Sequence, residues 1–211
     1  MFPSILRGNL AVCSQRNVSF NWQLVIWSDR MNLSLDKILN IFATRGHAQY
    51  GGEPVSQLEH GLQCATLAKE RGASSELITA CLLHDLGHLL HDLGENCADR
   101  AIDDRHEYEG VKPLELLFPP KVTEPIRLHV EAKRYLCAVD PTYLASLSLA
   151  SQSSLILQGG IFSKEEAFVF MAKPHAKDAV SLRAWDDLAK VEGLKTPDLN
   201  SFVTIVESCL Q

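Results

Sequence analysis

Ala80-Cys81-Leu82-Leu83-His84-Asp85-Leu86-Gly87-His88 is the stretch on which the reading of this 211-residue chain turns. An adjacent His-Asp pair, with a further His four residues on, lies in a segment otherwise rich in Leu, Ala and Cys, and the whole reads as one apolar helix. Burying imidazole and carboxylate there costs free energy unless partners satisfy both, and a metal ion does so most completely. Ser74 or Ser75 caps the helix. Leu77, Ala80, Cys81, His84 and His88 then share a stripe, with Asp85 about 100° round from His84, so both members of the pair can face a neighbouring helix.

Upstream, a helix from about Val55 to Lys69 puts His60, Cys64, Leu67 and Ala68 on one face, and Gly72 stops it. A first helix carrying Leu33, Ile38, Leu39, Ile41 and Phe42 ends at Arg45-Gly46. The polar segment His47-Ala48-Gln49-Tyr50-Gly51-Gly52-Glu53-Pro54 between them reads equally well as a plain connector or as a mobile lid carrying Tyr50 and Glu53.

Downstream, residues 91–105 are polar and acidic, as an exposed loop would be, and lead to a helix starting near His106 that Pro113 must kink or restart. Val122, Ile126, His129, Val130 and Lys133 fall on one face of the next helix. Another runs from Tyr143 through Ser151 to Gly159-Gly160. Ser163 and Glu166 form a capping box for a short helix through Met171. Beyond Pro174 a helix to about Val191 carries Asp186 on an apolar face with Leu182, Trp185 and Ala189, and Thr196-Pro197-Asp198 introduces a terminal amphipathic helix. No strand alternation competes, so the fold class is all-α.

The length suits one core: a single helical domain over residues 31–211, preceded by an irregular extension over 1–30, with Met31 a plausible alternative start. The net charge of −6 argues against a nucleic-acid partner and offers no polybasic membrane patch. Six cysteines without a CxxC pair read as reduced core thiols of a cytoplasmic protein. Nothing in the sequence sets the oligomeric state.

The inward-facing ligand types are His60, His84, Asp85, His106, His129 and Asp186, at successive spacings of 24, 1, 21, 23 and 57. One such residue is ordinarily a hydrogen-bonded core side chain, but six on successive helices point to a metal centre. An imidazole and carboxylate set without thiolate favours iron, manganese or zinc. Asp85 has two oxygens and can bridge two ions, which in two-metal sites lie about 3.5 to 4 Å apart.

The spacing His60, His84-Asp85 and distal Asp186 resembles the HD-domain superfamily, a helical bundle with a five-helix metal-binding core, over residues 55–191. His106 and His129 match its two-metal branch. A closer resemblance is to the PhnZ-type mixed-valent di-iron oxygenases, which cleave carbon-phosphorus bonds. It is carried by Tyr50-Gly-Gly-Glu53, Gln57-Leu-Glu-His60, His84-Asp85-Leu-Gly-His88, His129-Val-Glu-Ala-Lys133, Leu157-Gln-Gly-Gly160 and Arg183-Ala-Trp-Asp186.

The resemblance implies two irons in a mixed-valent Fe(II)/Fe(III) pair. His60, His84, Asp85 and Asp186 would hold one; His106, His129 and the shared Asp85 would hold the other. It further implies that the Tyr50 and Glu53 loop closes on the site, with Tyr50 able to occupy an iron position before substrate arrives. His88 would lie near substrate as a catalytic acid/base or hydrogen-bonding group, and Lys133, Ser151 and Arg183 would bind a phosphonate. The activity implied is dioxygen-dependent cleavage of a 1-hydroxy-2-aminoethylphosphonate-type substrate with release of phosphate. Two other classes fit parts of the pattern: an HD phosphohydrolase acting on a phosphate ester or nucleotide, and a non-catalytic metal-stabilised regulatory domain. Of the remaining histidines, His47, His91 and His175 read as surface residues.

Overall fold

The computed structural model describes residues 33–90, 100 and 102–211. The expected extension over 1–30, the candidate start at Met31, His91 and most of the acidic loop lie outside the described residues. Within them the chain is helical, and its single extended contact is an antiparallel bridge between Gln49 and Ser56. The helices are α1 (Leu35–Arg45), α2 (Gln57–Glu70), α3 (Ser75–Leu83), α4 (Leu86–Leu90), α5 (His106–Leu114), α6 (Pro120–Val139), α7 (Pro141–Ser146), α8 (Leu149–Leu157), α9 (Lys164–Met171), α10 (Ala176–Leu188) and α11 (Asn200–Glu207). The all-α HD-type bundle expected from the sequence is the fold observed.

Local chemistry sets most boundaries. Ser56 and Glu59 form a reciprocal capping box at the start of α2, Ser163 and Glu166 do so at α9, and Ser34, Ser74 and Ser148 cap α1, α3 and α8. Proline at the first position starts α6 and α7. Pro113 does not kink α5. It is the penultimate residue, where the helix is already ending.

Two boundaries differ from the sequence reading. The apolar helix is broken at His84-Asp85, which separates α3 from α4. The cause is local: His84 Nδ1 donates to the Cys81 carbonyl at 2.9 Å and takes up an acceptor close to the break, while His88 N bonds Asp85 O at 3.0 Å in the tighter i to i−3 pattern. The helix expected from Tyr143 to Gly159 is likewise split into α7 and α8, because Ser148 takes extended dihedrals and caps the second piece.

The long α6 packs along α10, and both lie against α3; α2 packs between α3 and α10, and α5 crosses α4 and α6. The main apolar core, with Ile38, Phe42, Leu83, Leu86, Leu114, Ile126, Leu182 and Phe202 almost fully buried, fills the space around α2, α3 and α6. The α4–α5 crossing is unusually close. A Cβ on Gly87 would lie 2.1 Å from the His106 carbonyl oxygen, and one on Gly110 would lie 2.9 Å from Gly87 N, so two glycines let His106 approach the His84-Asp85 turn. Arg105, at φ 50°, turns the chain sharply into α5.

Candidate active site

Four imidazoles and two carboxylates converge where α2, the α3–α4 turn, α5, α6 and α10 meet. His60, His84, Asp85, His106, His129 and Asp186 are all buried. Each ring turns Nδ1 away from the centre, His60 to the Ala189 carbonyl at 2.9 Å, His84 to that of Cys81 at 2.9 Å, His129 to that of Ile126 at 2.7 Å and His106 to the Asp104 carboxylate at 2.9 Å. Carbonyls and carboxylates only accept, so each Nδ1 carries a hydrogen and Nε2 of a neutral ring presents a bare lone pair.

Those lone pairs face each other in two pairs. His60 Nε2 lies 3.1 Å from His84 Nε2, and His106 Nε2 lies 3.1 Å from His129 Nε2. Asp85 stands between the pairs. Its Oδ2 is 3.6 Å from His60 Nε2 and 3.3 Å from His84 Nε2, while its Oδ1 is 3.5 Å from His106 Nε2 and 3.6 Å from His129 Nε2. Asp186 joins the first pair only, with Oδ1 3.3 Å from His60 Nε2. Asp85 Oδ1 is buried without a hydrogen-bond partner. An uncompensated buried carboxylate costs on the order of several kcal/mol, so the donor set fits a cation in each pair.

The electrostatics of the side chains alone make the same demand. Burial alone would lower His84, but the adjoining Asp85 carboxylate raises it to about 10. Burial acts likewise on His106, yet its hydrogen bond to Asp104 and the charge of Asp85 carry it up to about 9. Burial also works against ionised Asp85 and Asp186, and His84 and Arg183 respectively overcome it, holding both well below the usual carboxylate range. For His129 burial dominates and keeps the ring neutral. One member of each pair thus draws positive charge to itself, in the place a metal ion would fill.

A second ligand-like group brings atoms of Asp85, His88 and His106 within 4.8 Å of one another, alongside the group of His60, His84 and Asp85. His88 nevertheless differs from the buried rings. Its side chain is 24% exposed, it stacks on His106 at 4.0 Å, and Nδ1 lies 2.7 Å from Asp104 Oδ2.

Over the histidine and carboxylate cluster opens a cavity of about 600 Å³ lined by Tyr50, Glu53, His88, Lys133, Ser151 and Arg183 among others. The 47–56 segment is folded back by Tyr50 N to Val55 O and Gln57 N to Ala48 O bonds, with Gly51 and Gly52 at positive φ making the turn. Tyr50 stacks on His60 with ring centroids 3.8 Å apart, and its hydroxyl lies 3.5 Å from Asp186 Oδ1. Burial, then the Asp186 and Asp85 charges, push that phenol well above its ordinary pKa. The loop therefore lies over the site with both Tyr50 and Glu53 turned inward.

Lys133, Ser151 and Arg183 also come together. Buried Lys133 donates to Ser154 Oγ at 2.7 Å, and burial, reinforced by Arg183, lowers its pKa to about 7. Arg183 reaches Ser151 Oγ with Nη2 at 3.4 Å while Nη1 lies 2.8 Å from Asp186 Oδ2, and it also pairs with Asp187. Pairing with acids and facing the cavity are thus both true of Arg183.

The structure adds three residues that sequence reasoning passed over. Asp104, expected in an exposed loop, has a side chain only 8% exposed and holds His106 and His88 together. Asp187 fixes Arg183, with Tyr143 hydrogen-bonded to it at 2.5 Å. Lys190 donates to Ser151 Oγ at 3.0 Å. His47 is exposed, as expected, and His175 is partly buried. Cys64, Cys81, Cys137 and Cys209 are buried free thiols. No helix among the described residues is long and apolar enough to cross a membrane.

No family model matches the chain. It is similar to hydroxymethylphosphonate dioxygenase of Gimesia maris, 46% identical over 198 residues that cover 87% of this chain and 98% of the relative. It is also similar to 1-hydroxy-2-(trimethylamino)ethylphosphonate dioxygenase (glycine-betaine-forming) of Leisingera caerulea, 42% identical over 167 residues, 79% of this chain and 85% of the relative. An uncharacterized protein of Acanthamoeba polyphaga mimivirus is 34% identical over 160 residues, 75% of this chain and 73% of its own. Relatives so similar, aligned over most of both chains, settle the family: the chain belongs to the HD-domain phosphonate dioxygenases, the PhnZ-type oxygenases.

Proposed function

We propose that this enzyme uses dioxygen to cleave the carbon-phosphorus bond of a 1-hydroxyphosphonate and releases phosphate. The observation that carries this reading is the division of Asp85 between two histidine pairs beneath a cavity bearing cationic side chains. On the substrate's hydroxyl-bearing carbon the two named relatives differ, one substrate having hydrogen and the other a trimethylaminomethyl group. The sequence resemblance implies an aminomethyl substituent, a third member of the same series, and the charges that line the cavity decide which substituent it admits.

In this reading His60, His84, Asp85 and Asp186 hold one iron, and His106, His129 and Asp85 the other. Nitrogen and oxygen donors without thiolate support iron, with manganese or zinc as the other metals such a set accepts. The cluster, when bound and mixed-valent, supplies dioxygen activation and chelation of the substrate's hydroxyl and phosphonate oxygens.

The chain's own residues do the rest. Arg183 and Ser151 offer donors to the phosphonate, and Lys133 adds a cation that burial keeps ready to lose its proton. Tyr50 and Glu53 close the cavity against water, and Tyr50, held neutral beside His60 and Asp186, gives up its place when substrate arrives. His88, fixed by Asp104 at the cavity wall, faces the substrate hydroxyl as a hydrogen-bonding group. One hydroxymethylphosphonate dianion and one dioxygen give one formate, one hydrogen phosphate dianion and one proton; carbon is oxidised and dioxygen reduced. The buried thiols support a reducing, cytoplasmic setting.

Protein purified without oxygen and loaded with ferrous iron, mixed with hydroxymethylphosphonate or 2-amino-1-hydroxyethylphosphonate, is expected to release phosphate only when dioxygen is admitted. Oxygen-independent phosphate release from nucleotides, with no oxygen uptake on either phosphonate, would establish the phosphohydrolase reading instead.

A further inference from the structure

We propose that Lys190 is a specificity-determining residue, which selects hydroxyphosphonates whose carbon substituent bears no positive charge; the inference rests on the oxygenase reading. Lys190 lies just beyond α10, four residues after Asp186. Its ammonium bridges the covering loop and the phosphonate cradle: Nζ is 3.4 Å from Glu53 Oε1, donates to Ser151 Oγ at 3.0 Å, and sits 5.8 Å from the centroid of the Tyr50 ring. Only 11% of the side chain is exposed.

The backbone around it is pinned on both sides. The Ala189 carbonyl takes the His60 Nδ1 hydrogen at 2.9 Å, and Gln63 closes a pair of bonds with Val191, Nε2 to O at 2.9 Å and N to Oε1 at 3.0 Å. The ammonium is thus anchored to the same framework as a candidate metal ligand.

The charges around the cavity decide what this position does. Three acidic side chains other than the cluster carboxylates line it among the described residues: Glu53, Asp103 and Asp104. Asp104 is engaged by His88 and His106, and Asp103 is exposed. Glu53 is left as the carboxylate that an incoming ammonium group would use, and its Oε1 is buried without a hydrogen-bond partner. Lys190 already neutralises that carboxylate. Its other acidic neighbour, Asp187 at 3.6 Å, is shared with Arg183 and Tyr143. A cationic substituent must displace Lys190 from Glu53 or lie beside the like charge of a side chain that is itself largely buried, whereas hydrogen or a neutral group meets neither obstacle.

The test compares kcat/KM for hydroxymethylphosphonate and 2-amino-1-hydroxyethylphosphonate on the iron-loaded wild type and on Lys190→Met. The wild type is expected to prefer hydroxymethylphosphonate. Lys190→Met is expected to shift the ratio toward the amino substrate by about tenfold or more, chiefly through KM. Should Lys190→Met fail to fold, Glu53→Gln serves, which leaves Lys190 only the shared Asp187 as an acidic neighbour and is expected to move the ratio the opposite way. A wild type that prefers the amino substrate, a ratio that neither variant moves, or an equal loss on both substrates in Lys190→Met overturns the assignment. A wild type that cleaves neither phosphonate overturns the oxygenase reading beneath it.

Discussion

His60 and His84 aim their Nε2 atoms at each other across 3.1 Å, each with Nδ1 committed to a backbone carbonyl. Nitrogen atoms so arranged need a proton or a metal cation between them, and His106 and His129 repeat the relationship at the same distance. Asp85 alone touches both pairs, which makes it the residue on which a two-metal centre would depend.

Removing a carboxylate from this arrangement is expected to have graded effects. Asp186→Ala takes a donor from the first pair only, and should leave a folded protein with reduced iron content. Asp85→Ala takes a donor from both and should lose both ions. Iron analysis of the two purified variants, with circular dichroism to verify folding, checks the order; full metal content in either removes that residue from the ligand set.

Asp104 acts through the rings it holds. Its Oδ1 accepts from His106 Nδ1 and Oδ2 lies 2.7 Å from His88 Nδ1, so Asp104→Ala removes one shared anchor from both rings at once. Outer partners of this kind are worth about 10- to 100-fold in metal affinity or activity. A ferrous titration should show the second iron weakened and the first retained, and unchanged affinity at both would assign Asp104 a purely structural role.

The glycine pair between α4 and α5 is expected to be intolerant of a methyl group. Gly87→Ala pushes Cβ into the His106 carbonyl and must separate the two helices. Overpacking of this sort costs about 1 to 3 kcal/mol. Thermal unfolding should register the loss, and iron content should fall with it as His106 moves from His129. A variant as stable and as iron-rich as the wild type would show that the crossing relaxes freely.

Several of these residues could be read from the sequence and others could not, for physical reasons. The six candidate ligands stood out because each is a polar residue at a helical spacing among apolar ones. The break at His84-Asp85 did not, since periodicity runs on through it and the cause is a side chain taking the Cys81 carbonyl. Asp104 was hidden in an acidic run that composition assigns to solvent. Lys190 looked like an ordinary basic residue near a helix end, and only the fold brings Glu53 to it across 137 positions of sequence. The covering loop was legible as a candidate lid through its glycines, while the stacking of Tyr50 on His60 needed the tertiary structure.

Lys133 gives the account a pH dependence. Burial first, then Arg183, lower its pKa to about 7, so it is cationic below that value and neutral above. If its charge binds the phosphonate dianion, kcat/KM falls as pH rises through about 7. Arginine keeps its charge, so a folded Lys133→Arg enzyme should lose that alkaline limb while Lys133→Ala should be poor at every pH, by about 10- to 100-fold for one charge-assisted contact. An alkaline limb unchanged in Lys133→Arg assigns it to another group.

The central claim, two ions bridged by Asp85, is tested most directly by counting iron per chain in protein reconstituted without oxygen and then partly oxidised, with its electron paramagnetic resonance spectrum recorded on the same sample. The account expects two irons per chain and the signal of a coupled mixed-valent pair. One iron per chain with the signal of an isolated ion would contradict it.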